Sequence, residues 1–497
     1  MKIPTPVGLS QRDRLSFLLR DSVLYGGAAA ISKAFALITF PMLARHFSVA
    51  DYGVLDYFMV LSSFLVILFI FGQDSAVARY FYEYEDRVVR CQLISQSLAF
   101  QLAGLLLLLP LLWWGAEWFA NLLIEAPESA RLFKIVLMQL PFLMLINFSQ
   151  NLLKWTFARA QFLTMSLGFT LVQTSLLVVA VLLMDVGIQG VLVVTLCTSI
   201  VFGALGLFFV RRWLARPRDF KRIYEMLPYA IPFGVICVLA ALSPTLERTI
   251  IDQLLGAEEL GLYAAGTKIA MLVGLAVTAF QTAWGPFSLS LYKQEDAGET
   301  YNLVLKFFVL GMCVIVCVLT LMAQPLIKLL ATDRYIGAVV LVFPLVMGLA
   351  IQATSWITEI GVSIAKRSYL NLYAYFLAVI ATLASIMLLA PHFGLLGVGL
   401  GVMIGHIVKA IVASWLAQRV YPLPWHYSPV VKILGLTLLF GLLAKWLEHH
   451  WGAVAYNIAM ITGMIAVLCM GWSVLFNPEE RRGLIAFLRL RLVRSIL

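Results

Sequence analysis

Ala50-Asp51-Tyr52-Gly53-Val54-Leu55 and Glu258-Glu259-Leu260-Gly261-Leu262-Tyr263 share one pattern at an offset of 208 residues. Both read small or acidic, acidic, apolar, glycine, apolar, apolar. Each follows an apolar run of about 20 residues, long enough to cross a bilayer as a helix. Such runs recur along the whole chain, at roughly 22–46, 51–72, 90–114, 131–154, 161–184, 187–211, 229–254, 259–289, 303–322, 336–364, 369–390, 394–419, 429–447 and 453–476. The matched stretches follow spans 1 and 7. Six spans per copy is an even number, so both copies enter the membrane from the same side, as in parallel-repeat transporters. The fold class expected is an all-α polytopic membrane protein of about 14 transmembrane helices. Two parallel-repeat six-helix lobes would carry two extra C-terminal helices.

Composition leaves little room for a soluble domain: 62% of residues are hydrophobic, 12% charged, and the mean hydropathy is +0.93. The net charge of +10 is no sign of nucleic acid, because the basic residues sit in short loops between spans. With the N-terminus on the cytoplasmic side, that side holds 25 Lys and Arg and the other holds six. This asymmetry orients the protein with both termini in the cytoplasm. The densest basic stretch, Arg211–Arg222, separates the repeats. The organisation expected is a cytoplasmic interfacial segment (1–20), an N-lobe (21–211), a basic linker (212–228), a C-lobe (229–420), and spans 13 and 14 with a basic tail (421–497). Arg20 and Asp21 interrupt what would be a signal-peptide core, so span 1 reads as a retained anchor. The junction Arg211–Pro232, with this linker and the prolines Pro228 and Pro232, is the expected hinge.

No loop is clearly longer than about 20 residues, which disfavours an extramembrane catalytic domain. No phosphate-binding glycine loop or His-Glu-x-x-His motif occurs. The six cysteines read as small apolar residues. Neither a cofactor nor a metal is expected.

Five basic residues fall within spans: Lys33, Arg248, Lys268, Lys306 and Lys409. Lys306 lies near an edge and can snorkel. The other four follow small residues at helical spacing, among them Gly397, Gly401 and Gly405 ahead of Lys409. Small residues mark faces turned towards other helices. An unpaired ion in hydrocarbon costs at least about 2.5 kcal/mol, so four cations on inward faces predict a common interior for an anionic substrate or water. Glu247, Asp252 and Glu359 are the acids placed to pair or couple with them. Each charge also has a plainer reading, such as an Arg248–Asp252 pair on one helix, or Glu359 neutralising a lysine of another span.

Phe40-Pro41-Met42-Leu43-Ala44-Arg45-His46-Phe47-Ser48, Asp51-Tyr52-Gly53 and Ala76-Val77-Ala78-Arg79-Tyr80 resemble the opening of the polysaccharide transporter branch of the multidrug/oligosaccharidyl-lipid/polysaccharide exporter superfamily, best known for the Wzx-type flippases. Glu247-Arg248, Leu255-Gly256, Gly261-Leu262-Tyr263 and Lys268 extend the resemblance; the family often has Asp-Arg where this chain has Glu247-Arg248. The resemblance implies a flippase moving undecaprenyl-diphosphate-linked oligosaccharide, an O-antigen or exopolysaccharide repeat unit, between leaflets of the bacterial inner membrane. Alternating access through a cationic cavity would carry it. Membrane lipids, a polysaccharide polymerase and chain-length machinery are the implied partners. In the related peptidoglycan-precursor flippases, spans 13 and 14 form a groove for the lipid tail.

The competing readings are a peptidoglycan-precursor flippase and a multidrug or cation antiporter of the same superfamily. The antiporter would need acids in the first lobe, where only Asp56, near a span end, is on offer. A membrane enzyme would have to use Asp74, Glu83, Glu85 and Asp86, which read better as a solvated charged loop. The cavity prediction is tested by placing cysteine at positions 33, 248, 268 and 409 in a background lacking native cysteines. Each should react with a water-soluble thiol reagent in at least one conformation; protection of all four would contradict a shared aqueous interior.

Overall fold

The computed structural model describes residues 38–478 apart from 125–127, 293, 366 and 368, together with isolated positions between 24 and 35 and residues 480–482. Among the described residues the chain is helical throughout, with no strand. Twelve helices among the described residues are long and apolar enough to cross a membrane. Much of the first expected span, 22–46, lies outside the described residues, although 38–46 are helical.

Local chemistry sets where helices begin and turn. Ser48 caps Val49–Ile70, accepting from the Asp51 amide at 3.0 Å and donating to the Asp51 carboxylate at 2.6 Å. At its far end Phe71 and Gly72 both take positive φ, 45° and 71°. They turn the chain sharply into the short helix Gln73–Glu83.

The helix Leu370–Val420 has 51 residues. A straight helix of that length would reach about 77 Å, more than twice the hydrocarbon thickness. It is in fact a hairpin. Gly394 leaves helical geometry (φ 55°, ψ −136°), and the two arms run back along each other. Side chains added at Gly397, Gly401 and Gly405 would collide with Leu389, Ile386 and Thr382, respectively. The four-residue glycine series is therefore the contact stripe between the arms. Gly452 (φ 80°) divides Tyr427–Val474 into the crossings Tyr427–Glu448 and Val454–Val474. These last two pack onto Ala297–Leu321.

The two halves of the chain meet along Val49–Ile70, which packs against both Lys221–Leu255 and Ala257–Leu291. The glycines of the two matched stretches lie face to face at this seam. A Cβ on Gly53 would stand 2.5 Å from the Gly261 amide nitrogen, and one on Gly261 would strike the Val49 carbonyl. On Lys221–Leu255, Gly234 closes against Phe71 and Gly72.

At the Arg- and Lys-rich end, Gln92, Ser95 and Gln96 of Arg87–Trp114 hold the stretch between the repeats. The Gln92 amide group donates to the Arg216 carbonyl and accepts from the Arg218 amide, at 3.0 and 3.2 Å. Ser95 accepts from the Ala215 amide at 2.8 Å. Gln96 accepts from the Arg222 and Ile223 amides at 3.0 and 3.2 Å. The stretch read as linker, 212–228, is already helical from Lys221, and Pro228, Pro232 and Pro244 all lie inside Lys221–Leu255. Lys306 does not snorkel: it is buried and meets the Glu480 carboxylate at 2.8 and 2.9 Å.

Gly53→Ala and Gly261→Ala should each destabilise the purified protein in detergent by about 1–3 kcal/mol, because neither backbone neighbour can yield cheaply. Gly311→Ala is the control, since nothing lies within 4 Å of its added Cβ. Thermal unfolding reads the comparison. Equal melting temperatures for all three variants would show that the seam tolerates a methyl group.

Candidate functional site

A cavity of about 630 Å³ lies between Val49–Ile70 of the first half and four helices of the second, Lys221–Leu255, Ala257–Leu291, Val339–Thr358 and Leu370–Val420. Arg248, Lys268 and Lys409 all line it. Lys33 lies outside the described residues.

The geometry of the second half of the chain brings two of these cations together. Gly256, at φ 93° and ψ 172°, turns Lys221–Leu255 directly into Ala257–Leu291. Arg248 and Lys268 stand on opposite arms of this turn and point at one residue, Asp56 of the first half. The Nε and Nη2 atoms of Arg248 donate to Asp56 Oδ2 at 2.9 and 2.8 Å. Lys268 Nζ donates to Oδ1 at 2.8 Å. Both carboxylate oxygens are thus engaged, and Asp56 is only 1% exposed. Beside it, Tyr57 and Thr249 share a hydroxyl–hydroxyl hydrogen bond of 2.9 Å across the same seam. Arg248 keeps Nη1 on the Pro244 carbonyl at 3.1 Å. Lys268 is the accessible partner, its side chain 23% exposed.

Sequence reasoning passed over Asp56 as lying near a span end. The cap at Ser48 starts the helix at Val49, so Asp56 sits two turns inside. A lone carboxylate that deep in an apolar span was itself a usable signal.

Glu247 also lines the cavity. Its two oxygens accept from the Tyr263 hydroxyl at 2.7 Å and the Ser243 hydroxyl at 2.8 Å. The Tyr263 ring lies 5.4 Å from the Arg248 guanidinium carbon, within cation–π range. Asp252 is buried one turn beyond Arg248, but the carboxylate that grips the guanidinium from both Nε and Nη2 belongs to Asp56 rather than to that helix.

Lys409 is 1% exposed. It donates to Glu359 at 2.9 Å and to Ser355 at 2.8 Å, and lies 5.3 and 5.9 Å from the ring centroids of Tyr375 and Trp356. His406, one turn before it, faces the cavity as well; its position next to a lysine on a glycine-rich helix gave no distinct signal in the sequence. The cavity is therefore not purely cationic. Asp56 and Glu247 share its wall with the three cations, and Glu359 offsets Lys409 from behind.

A second, apolar hollow of about 540 Å³ is lined by residues of Val339–Thr358, the second arm of Leu370–Val420 and the start of Tyr427–Val474, including Ile351, Ile411, Trp415 and Leu434.

Known proteins with similar architecture are membrane transporters. The solved structure described as "Lipid II flippase MurJ, inward closed conformation" aligns with a TM-score of 0.70 at 15% identity, covering 90% of this chain and 98% of that one. An inward-facing multidrug resistance MATE family transporter of the MOP superfamily aligns at 0.65 and 14% identity, covering 84% and 96%. At these identities the likeness establishes the fold. In sequence, the "Lsg locus putative protein 1" of Haemophilus influenzae (strain ATCC 51907 / DSM 11121 / KW20 / Rd) is 25% identical over 282 residues, 56% of this chain and 67% of the relative. The Capsular polysaccharide biosynthesis protein CapF of Staphylococcus aureus is 22% identical over 205 residues, 41% of this chain and 51% of that protein. The family model described as Polysaccharide biosynthesis protein matches residues 18–292, more than half of the sequence. The chain belongs to that family.

Proposed function

We propose that this protein is a flippase for undecaprenyl-diphosphate-linked oligosaccharide, an O-antigen or exopolysaccharide repeat unit. It takes the lipid-linked unit from the cytoplasmic leaflet of a bacterial inner membrane and releases it to the periplasmic leaflet, where a polymerase uses it. Both termini lie in the cytoplasm, on the basic side. The observation that carries this reading is the convergence of Arg248, Lys268 and Lys409 on one cavity between the halves of the chain. Family membership and fold support a transporter of this kind.

The chemistry suits the cargo. Charge-assisted hydrogen bonds to phosphate oxygens are strong, and a planar guanidinium can take two oxygens at once. Arg248 and the accessible Lys268 are the residues that hold the diphosphate; Lys409 stands further along the wall. The cavity's volume is within the range of drug-sized sites, enough for a diphosphate and its first sugars. The rest of the glycan requires the halves to separate, which alternating access provides. The apolar hollow along the Tyr427 helix receives part of the lipid tail, which never has to leave hydrocarbon.

The test is surface glycan normalised to membrane protein level, in a strain whose own copy has been deleted. Arg248→Ala and Lys268→Ala should each lower export per molecule about tenfold or more, given that a hydrogen bond to a charged group contributes about 1.5–3 kcal/mol. Arg248→Lys should lose less, since it keeps the charge and gives up only the paired contact. Lys409→Ala should act in the same direction. Normal export per molecule by all three alanine variants would overturn the assignment, and resistance to cationic drugs that depends on Asp56 and Glu247 would replace it with an antiporter.

A further inference from the structure

The Asp56 cluster does more than neutralise charge, because its members come from different halves of the chain. Asp56 belongs to Val49–Ile70; Arg248 and Lys268 belong to the helical pair that begins the second repeat. All three line the same cavity. An anion entering that cavity therefore meets two cations whose preferred donors already hold a carboxylate. It can bind them fully only by replacing Asp56. We propose that Asp56 is an internal stand-in for the substrate's anionic group, and that displacement of its carboxylate by that group unlatches the first half of the protein from the second. This rests on the reading that the cavity receives a phosphate-bearing cargo, and adds to it how the cargo would trigger movement.

The physical argument has three parts. First, the donor geometry is transferable. Arg248 presents Nε and Nη2 side by side and Lys268 completes the grip on the second oxygen; a diphosphate offers more oxygens than a carboxylate and satisfies the same donors. Second, the exchange is close to balanced. Both anions are stripped of water against the same two cations, so the desolvation cost that dominates buried ion pairs is largely common to the two states. Third, the latch differs in kind from the contacts beside it, and the charged contacts between the halves elsewhere, Arg45 on the Leu329 and Ala331 carbonyls and Tyr84 with Arg222 and Glu225, do not line the cavity. Gly53 against Gly261 and Tyr57 against Thr249 are neutral contacts, indifferent to an anion in the cavity. The Asp56 pairs are sensitive to one. A carboxylate held in contact with the cations competes as an intramolecular ligand at an effective concentration of about millimolar or more, so removing its charge should strengthen anion binding about tenfold or more.

The experiment uses the full-length protein in detergent, with the six native cysteines replaced. Spin labels go on exposed positions of the two halves: Val88 with Tyr369, and Leu122 with Leu329. Inorganic pyrophosphate is the probe, against sodium chloride of equal ionic strength. In the otherwise unsubstituted protein, pyrophosphate should change the inter-half distances. Asp56→Asn should show the changed distances without any anion and should bind pyrophosphate about tenfold or more tightly. Asp56→Glu, which keeps the charge, should resemble the parent. Should Asp56→Asn fail to fold because two cations are left unpaired, the neutral combination Asp56→Asn/Arg248→Gln/Lys268→Gln replaces it. That protein should show the changed distances and ignore pyrophosphate. Parent-like distances in whichever variant folds overturn the latch, as does unaltered pyrophosphate affinity in Asp56→Asn. The flippase reading fails separately: normal glycan export by the cavity alanine variants overturns it even where pyrophosphate moves the labels, and unchanged labels with lost export overturn the latch alone.

Discussion

One carboxylate, that of Asp56, is shared by an arginine and a lysine from the other half of the chain and ties the two halves together at their seam. Much of the surrounding backbone serves its placement. The Ser48 cap fixes the depth of Asp56 in its helix. Gly256 folds the Arg248 and Lys268 arms back to back, and Gly53 and Gly261 let the seam close until a carboxylate can reach both cations. A buried cluster of this kind adds little net stability over an apolar one, yet losing one partner is expensive, about 3–5 kcal/mol. Its contribution is specificity of arrangement, achieved with charges that another anion can also use.

The three cavity cations are not equivalent. Lys409 is dry, held between Glu359, Ser355 and two aromatic rings, and ties the Leu370–Val420 hairpin to the end of Val339–Thr358. Lys268 is partly exposed to the cavity and has donors beyond the one given to Asp56. Arg248 lies between these extremes, buried but facing the space. The three cations thus form a gradient from enclosed to accessible charge along the cavity wall.

Much of this was legible in the sequence because membrane folding is strongly constrained. Hydropathy located the crossings, and the 208-residue offset picked out Gly53 and Gly261, which turn out to touch. Small-residue faces were the reason to turn Arg248, Lys268 and Lys409 inward, and all three line the cavity. What composition could not supply was pairing between distant spans. Arg248 has a local acid, Asp252, four residues away, which the sequence offered as one reading of its charge; the seam brings in Asp56, 192 residues distant. The same limit applies to Lys306, whose position near a span edge suggested water, whereas tertiary packing supplied Glu480. The glycine series ahead of Lys409 could have lined a cavity or a helix contact; the hairpin at Gly394 makes it a contact between the arms, and Gly405 at its end lines the cavity as well.

These distant pairs also constrain the order of events during synthesis. Asp56 enters the membrane before either of its cations exists, and at about 5–20 residues per second the 192 residues to Arg248 represent roughly ten to forty seconds. Through that interval the newly inserted span carries a carboxylate with nothing to hold it, a cost of up to about 3.5 kcal/mol that its mean hydropathy of 2.2 offsets. Lys306 waits a further 174 residues for Glu480. The early spans must therefore be greasy enough to tolerate a temporarily unmatched ion, and a surveillance protease that recognises unmatched charge in the bilayer would have its longest opportunity in the first half of the chain.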